Sequence, residues 1–428
     1  MTSAIISIVI LVLCIVLFVT RVIPGAVTAV LGCLLFAITN VCSLGEAFSG
    51  FSNSTVLLMF GMMVVGIAMM DTGVAKLIGK YVSKIAGGNE KIFILLAGLA
   101  SAALSTFLSN TAVISIFLPI IASVSQSGSN MNRKNLTLPV TMGAMFGGVC
   151  TLVGSTPQLT ANGIISEMTG LELKMFDFLL PGLILTAVYI IYAVTIGHKI
   201  GVGVWGNETA VNSDEVEDSG EKSSAEEETF NKTKIIIMMI IFVATIVLFI
   251  GAWIPTAMTA ILAALLCIIT GCTSYKNVIK NMDWSVVFIL AGCLGIASGL
   301  TKGGAGELMS QGLSHILSPD INPIIIFAIF IFVTMLISNF ITNSTAVVIV
   351  LPIALAFCSS FGLSPISFAI GIVYAANLTF STPLANAQTA MTLVAGYKFS
   401  DYIRYTWLLD ILVFVTIVVA VPIFFPLA

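Results

Sequence analysis

Two short polar motifs interrupt long apolar stretches of the sequence, and their side chains could bind ions. Ser-Asn-Thr occupies positions 109–111 and Thr-Asn-Ser occupies positions 342–344, within stretches 92–132 and 321–397 that contain no Asp, Glu, Lys or Arg. Hydroxyl and amide oxygens suit a hard cation such as Na⁺, whereas hydroxyl and amide hydrogens can hold an anion. The motifs therefore predict a site that binds a cation and an anion side by side without a charged side chain.

Two further polar interruptions accompany these motifs. Gly154–Pro157 lies in the charge-free stretch 135–166, and Ser381–Pro383 follows the second motif. A helix that is broken inside a membrane has free N–H groups at one new end and free carbonyls at the other, which favour anions and cations respectively. A lone Ser, Thr or Asn could instead bond to its own helix or join two helices. Because the motif and the interruption each occur twice, once in each half of the chain, we favour the binding site.

The composition indicates a membrane protein. Hydrophobic residues make up 58% of the 428 residues and charged residues only 9%, with a mean hydropathy of +1.11, whereas a soluble domain carries about 25% charged residues. A spanning helix needs about 20 apolar residues, so the longest charge-free stretches hold more than one membrane segment.

No basic cluster could neutralise nucleic-acid phosphates. The eight cysteines form no CxxC pair, so we expect buried apolar side chains rather than metal ligands.

The chain divides into two similar halves on either side of an acidic linker. Residues 206–234 carry many Asp and Glu and few apolar side chains, which predicts a solvated segment. Ile23–Leu31 resembles Ile254–Leu262, and the polar motifs and interruptions recur in the same order. We therefore expect an all-α polytopic membrane protein with two inverted repeats, each of five transmembrane segments plus one re-entrant hairpin. The predicted boundaries are 1–205 and 235–428 for the repeats, 92–132 and 321–361 for the hairpins, and 135–167 and 364–397 for the broken helices.

The basic residues predict how the chain crosses the membrane. With five crossings in each half and both termini outside, all but Lys174 and Lys302 of the 17 Lys and Arg residues face the cytoplasm, which is a strong positive-inside bias. One crossing more or fewer in the first half would move the basic loops of the second half outward. The linker is then cytoplasmic. The first apolar stretch is expected to be a retained helix, because no cleavage site precedes Arg21.

The tip motifs, together with the segment Gly147–Pro157, resemble those of the divalent anion/sodium symporter family, part of the wider ion-transporter superfamily. The likeness covers nearly the whole chain except the linker. It implies a homodimer in which a transport domain moves like an elevator past a scaffold, carrying succinate, malate, fumarate, citrate or sulfate with Na⁺. The sequence departs from the usual family motifs in its Thr-Asn-Ser second tip, in Thr-Pro-Gln at 156–158 where Pro-Pro-Asn is usual, and in Pro-Leu at 383–384.

The resemblance also implies roles for individual residues. Na⁺ would be the coupling ion, without any prosthetic group, and would occupy two sites. The first sodium site would be formed by Ser105, Ser109, Asn110 and Gly154. The second would be formed by Ser338, Asn343 and Ser381. The substrate would contact Asn110, Thr111, Ser155, Asn343, Ser344 and Thr382.

The residues leave several functions open. We expect sodium-coupled uptake of a C4-dicarboxylate or citrate across the lipid bilayer; the alternatives are transport of an oxyanion such as sulfate, anion exchange, proton-coupled antiport, or a channel. Proton coupling would require an ionisable residue at depth, and Asp410 in the last apolar helix is the main candidate, although it could also lie at the interface or pair with another helix. A membrane hydrolase would need a nucleophile and a base. The two histidines, His198 and His315, fall near membrane edges or in loops, so no catalytic residue is assigned.

Overall fold

Helices make up all of the regular structure in the described part of the chain. The computed structural model describes residues 2–126, 131–206, 232–305, 308, 322–383 and 386–428, and no strand occurs among them. The predicted linker, apart from its two ends, and His315 lie outside the described residues.

The order of helices is similar in the two halves. The first half forms Thr2–Thr20, Gly25–Ile38, Leu44–Ala47, Ser54–Asp71, Val74–Ala86, Glu90–Ser105, Asn110–Gln126, Arg133–Gly148, Thr156–Thr169, Leu179–Tyr192 and His198–Trp205. The second half forms Lys232–Gly251, Thr256–Ile269, Tyr275–Asn281, Trp284–Lys302, Pro323–Ser338, Asn343–Phe361, Pro365–Asn377, Ala387–Met391 and Phe399–Phe424.

Several of these helices begin at a polar residue whose side chain accepts a backbone N–H, which satisfies a donor that the helix itself leaves free. These N-caps are Ser43, Asn53, Asn89, Asn132, Ser274, Asp283, Asn322, Ser364 and Asn386. Short polar residues between apolar stretches therefore decide where many of the helices start.

Seven helices within the described residues are long and apolar enough to cross a membrane. They are Ser3–Thr20, Ser54–Asp71, Leu179–Trp205, Lys232–Gly251, Trp284–Lys302, Asn343–Phe361 and Phe399–Phe424. The third of these is continuous, because a π-helical turn, Ala193–Gly197, joins Leu179–Tyr192 to His198–Trp205. The predicted all-α, polytopic class is confirmed. The inverted repeat and the number of crossings stay predictions.

Each predicted hairpin contains a pair of helices joined by a short turn. Glu90–Ser105 and Asn110–Gln126 form the first pair, and Pro323–Ser338 and Asn343–Phe361 form the second. The first three of these helices have 16, 17 and 16 residues, fewer than the roughly 20 that a full crossing needs. The fourth has 19 residues and is long enough to span. A re-entrant hairpin has two arms that are too short to cross the membrane, so the second hairpin differs from the prediction in this respect.

The two halves interlock through one reciprocal helix packing. Gly25–Ile38 packs on Trp284–Lys302, and Thr256–Ile269, its counterpart in the second half, packs on Ser54–Asp71. A Cβ on Gly61 would lie 2.5 Å from the carbonyl carbon of Ala260, so the backbones approach closely only because the residue is glycine. Without a hydrophobic driving force between helices in lipid, such small-residue contacts hold membrane helices together.

Polar contacts at the helix ends join the halves a second time. Lys302 forms an ion pair with Glu46 at 3.0 Å, and Asp71 Oδ2 accepts hydrogen bonds from Thr273 Oγ1 at 2.6 Å and Asn277 Nδ2 at 2.5 Å. Hydrogen bonds from the Ser43 backbone and from Lys302 lower the pKa of Glu46 to about 2. The predicted topology places the first of these contacts outside and the second in the cytoplasm.

A cysteine-labelling experiment tests this topology. All eight native cysteines are buried, so they should give little background with a membrane-impermeant maleimide. We expect Ser219→Cys in the linker to be labelled only after the membrane is permeabilised, because the charge distribution places the linker in the cytoplasm.

Gly45→Cys is the matched control, since Gly45 is exposed with nothing within 4 Å of an added Cβ. It should react in intact cells. Labelling of Ser219→Cys from outside would overturn the topology of five plus five crossings.

Candidate functional site

The first tip, residues 105–111, closes through a short hydrogen bond. Ser105 ends one helix and Asn110 begins the next, and the Ser105 hydroxyl donates to Asn110 Oδ1 at 2.5 Å. Both side chains are buried. Ser109 is exposed, and its hydroxyl accepts from the Ala112 N–H at 3.3 Å. Ser109 therefore helps to start the second helix, while Ser105 and Asn110 point inward.

Asn110 packs directly against the end of the helix Arg133–Gly148. A Cβ on Gly148 would lie 2.1 Å from Asn110 Oδ1, and a Cβ on Gly154 would lie 2.2 Å from the Gly148 carbonyl oxygen. Side-chain and backbone oxygens can therefore gather here only because both positions are glycine. The structure thus brings Ser105, Asn110 and Gly154 of the predicted first sodium site together around Gly148.

Amide side chains connect the first break, residues 149–155, to the second half. Ser155 Oγ lies 2.9 Å from Asn377 Oδ1 and also contacts Gln158 Oε1. Asn377 Nδ2 donates to Gln158 Oε1 at 3.2 Å, and Gln158 Nε2 donates to the Gly148 carbonyl at 2.8 Å. Asn377 is the last residue of its helix, where the second break begins; the described residues of this break are 378–383 and 386. The two breaks therefore meet through this polar cluster.

The second tip, residues 338–344, repeats the serine–asparagine contact. The buried Ser338 hydroxyl lies 2.6 Å from the Ala376 carbonyl oxygen and 3.3 Å from Asn343 Oδ1. The Thr379 hydroxyl lies 3.4 Å from Ser338 Oγ. The neighbours of Ser338 are thus oxygens from a carbonyl, an amide and a hydroxyl, which are ligands that a hard cation prefers.

A threonine ties each break to its neighbouring tip. Thr151 Oγ1 donates to the Thr106 carbonyl, and Thr382 Oγ1 donates to the Asn339 carbonyl. Ser155 directly precedes the helix after the first break, whereas Asn386 has that position after the second. The two Ser-Thr-Pro motifs therefore occupy different positions in their breaks, although the sequence suggested that they correspond.

Thr111 and Ser344, two of the predicted substrate contacts, each follow a tip asparagine. Both are half-buried, and in the described part of the chain neither hydroxyl makes a hydrogen bond. Their hydroxyls are available to a ligand.

Ser381 differs from the other predicted sodium ligands. Its hydroxyl donates to Asp410 Oδ2 and lies 3.1 Å from Thr406 Oγ1, and no hydrogen bond among the described residues joins it to Ser338 or Asn343. The structure therefore brings a carboxylate to a break that we expected to be free of charge. Asp410 lies in the neighbouring helix Phe399–Phe424, outside the charge-free stretch that supported this expectation.

Three polar residues of the site escaped the sequence analysis as functional candidates: Gln158, Asn377 and Thr379. Gln158 was noted only because it replaces the usual asparagine of the family motif, and that departure was the signal. Asn377 and Thr379 gave a weaker signal, since they are polar side chains in a charge-free apolar stretch shortly before the Ser-Thr-Pro motif at 381–383.

The close approach at Gly148 generates a prediction about stability. Gly148→Ala would place a Cβ 2.1 Å from Asn110 Oδ1, so the buried Asn110 side chain must shift from its position beside Ser105, at a cost of about 1–3 kcal/mol for an overpacked site. We expect a lower melting temperature of the purified protein in detergent.

Gly66→Ala is the matched control, because its added Cβ would meet only Leu108 Cδ2 at 3.7 Å in another buried helical position. Its melting temperature should stay at the wild-type value or rise, since alanine favours a helix more than glycine does. Equal melting temperatures for the two variants would show that the described tip contact is wrong.

Comparisons with known proteins support a transport function. The family model for citrate transporters, CitMHS, matches residues 15–348. A protein of Haemophilus influenzae described as an uncharacterized transporter is 26% identical over 418 residues, which cover 94% of this chain and 88% of that protein. The sodium-dependent dicarboxylate transporter SdcS of Staphylococcus aureus is 22% identical over 411 residues, covering 89% and 78% respectively.

A solved structure has a similar fold. The YdaH transporter of Alcanivorax borkumensis superposes with a TM-score of 0.60 and 11% identity, covering 91% of this chain and 88% of that one. Together with the sequence relatives, the family match confirms the resemblance to the divalent anion/sodium symporters and excludes an enzyme. The chain belongs to the citrate transporter family and is a multi-pass membrane transporter.

Proposed function

We propose that this protein is a secondary active transporter that takes up a small divalent anion, a C4-dicarboxylate or citrate, together with Na⁺. The repeated serine–asparagine contact at the two tips carries the proposal. Asn110 Oδ1 and Asn343 Oδ1 each lie beside a serine hydroxyl, while their amide nitrogens donate to no protein atom in the described part of the chain. Each amide can therefore offer its oxygen to Na⁺ and its N–H₂ to the anion.

The cation sites would use oxygens at helix ends. Ala376 O lies next to Ser338, and Gly148 lies next to Asn110. Carbonyls near the C-terminal end of a helix carry partial negative charge, which favours a cation even without a carboxylate.

The anion would bind between the two tips. Asn110 and Asn343 each begin a helix, so free N–H groups and the positive end of the helix dipole are available to carboxylate oxygens. The hydroxyls of Thr111 and Ser344 add hydrogen bonds. Sodium ions beside the anion would offset its charge, so binding of either ion would strengthen binding of the other. The name of SdcS, a sodium-dependent dicarboxylate transporter, supports this choice of ions.

The proposed movement is of the elevator type. The hairpins and broken helices pack on one another, whereas the reciprocally packed pairs form a separate group. The two groups meet where Thr156–Thr169 packs on Trp284–Lys302, and Asn162 Nδ2 donates to Thr55 Oγ1 at 3.1 Å. We propose that the first group moves past the second along this surface.

The proposed homodimer rests on the family resemblance alone, and a monomeric mass by light scattering in a mild detergent that preserves transport would exclude it.

Uptake by reconstituted protein tests the function. In liposomes, we expect saturable uptake of labelled succinate or citrate when an inward sodium gradient is applied, and little uptake when choline replaces sodium. Labelled sulfate is the comparison substrate.

Each alternative gives a different result. Uptake that needs unlabelled anion inside the vesicle but no sodium would indicate an exchanger, and uptake driven by a pH gradient alone would indicate proton coupling. Sulfate uptake without dicarboxylate or citrate uptake would indicate an oxyanion transporter, and flux that does not saturate would indicate a channel.

Alanine variants separate the two roles of the tips. Asn110→Ala or Asn343→Ala leaves an ion or an anion oxygen without its partner, at about 1–3 kcal/mol, so half-saturation constants should rise by about five- to over a hundredfold. Ser105→Ala and Ser338→Ala should mainly raise the half-saturation constant for sodium. Thr111→Ala and Ser344→Ala should mainly raise the half-saturation constant for the anion.

Ser115→Ala is the matched control for these variants. Ser115 lies in the same helix as Asn110, is exposed, and bonds only to the Thr111 carbonyl at 2.9 Å, so both half-saturation constants should be unchanged. If all six tip variants fold and also keep wild-type constants, the proposed site is in the wrong place.

A further inference from the structure

Asp410 is a carboxylate near the middle of the apolar helix Phe399–Phe424. Its Oδ2 accepts a hydrogen bond from Ser381 and lies 3.4 Å from Thr406 Oγ1. Its Oδ1 is shielded from solvent and has no hydrogen-bond partner in the described residues. No basic side chain in the described part of the chain forms an ion pair with it. One oxygen of the carboxylate is thus anchored, while the other is buried and available.

A charge inside the membrane is costly unless something neutralises it. An ionised side chain inside a membrane costs several kcal/mol and is usually kept for a function. Because a basic partner is absent from the described surroundings of Asp410, a bound cation is a natural source of the opposite charge.

The neighbours of Asp410 have the chemistry of a cation site. Ser381 Oγ and Thr406 Oγ1 lie 3.1 Å apart, and both contact the carboxylate. Ser381 also lies in the second break, where carbonyls are not committed to a regular helix. Carboxylate, hydroxyl and carbonyl oxygens are the ligands of hard cations.

The charge of the site favours a monovalent ion. Among the described residues, no group of three or more His, Cys, Asp or Glu could hold a metal ion, and Asp410 is the carboxylate that the hydroxyls of both Ser381 and Thr406 contact. One negative charge balances Na⁺, whereas a divalent ion would keep an excess positive charge in a poorly hydrated place.

We propose that Asp410 is a direct ligand of a coupling Na⁺ at the second break, together with Ser381 and Thr406. The inference rests on the proposed sodium symport and deepens it, because it adds a charged cation site beside Ser381 to the neutral sites proposed at the two tips. A charged site should bind Na⁺ before the anion arrives, since its own carboxylate already offsets the charge of the ion.

Sodium binding without substrate is the first measurement. Ligand that binds only the folded protein raises its stability, so NaCl should raise the melting temperature of the wild-type protein relative to equal choline chloride. Asp410→Asn keeps the size of the side chain but removes its charge, and we expect it to lose most of this sodium-dependent shift.

The second measurement is the sodium half-saturation of uptake. We expect Asp410→Asn to raise it by at least about tenfold, since loss of an outer-shell partner of a metal ligand already costs that much, with a smaller change in the anion KM at saturating sodium. Thr406→Val removes one hydroxyl from the same site and should raise the sodium half-saturation as well. It also serves as the deciding variant if Asp410→Asn does not fold.

Thr416→Val is the matched control. Thr416 lies in the same helix, and its hydroxyl bonds to the Leu412 carbonyl at 2.6 Å, away from the break. Its sodium half-saturation should equal that of the wild type.

The outcomes separate this inference from the proposed function. A wild-type protein whose uptake and melting temperature do not respond to sodium would overturn both. Sodium-dependent wild-type uptake with unchanged sodium half-saturation in the Asp410 and Thr406 variants would overturn only the role of Asp410. If Asp410→Asn lowers the melting temperature but keeps the sodium-dependent shift of the wild type, Asp410 stabilises the fold and is not a sodium ligand.

Discussion

A backbone polar group inside a membrane must find a partner within the protein, and the whole site depends on how this chain meets that requirement. The tips and breaks leave carbonyls that no helix satisfies. Side chains supply several of the partners: Gln158 donates to Gly148, Ser338 to Ala376, and Thr382 to Asn339. These contacts hold irregular backbone in place at the same points where oxygens are needed for ions. In the proposed site, structural support and ligand binding would therefore use the same residues.

The sequence predicted the larger features because they are local. Runs without charge predict apolar helices, Asn and Ser at their ends predict helix starts, and a duplicated motif predicts two equivalent tips. The contacts Ser105–Asn110 and Ser338–Asn343 also lie within five residues along the chain, so a single turn sets both. Contacts within a tip therefore follow from positions that are close together along the chain, whereas the ligand roles predicted for these residues stay predictions.

Contacts between distant segments could not be predicted in this way. Ser155 contacts Asn377, which lies 222 residues further along the chain. The periodicity of apolar residues does not predict contacts between segments so far apart in the sequence. The pairing of Ser155 with Ser381 by motif shows the same problem. Ser155 directly precedes a helix and contacts amide side chains, whereas Ser381 lies inside its break and contacts Asp410. Identical short motifs thus acquire different chemistry from the helix that packs beside them.

The reciprocal packing of the two halves also has a consequence for biosynthesis. The helix Gly25–Ile38 packs on Trp284–Lys302, so its partner is made only after almost 250 further residues have left the ribosome. At about 5–20 residues per second, this interval lasts roughly ten to fifty seconds. During that time the small-residue faces of the first half lie against lipid or against the insertion machinery. The nascent first half is thus an unfinished structure, and its assembly is a late, post-insertion event.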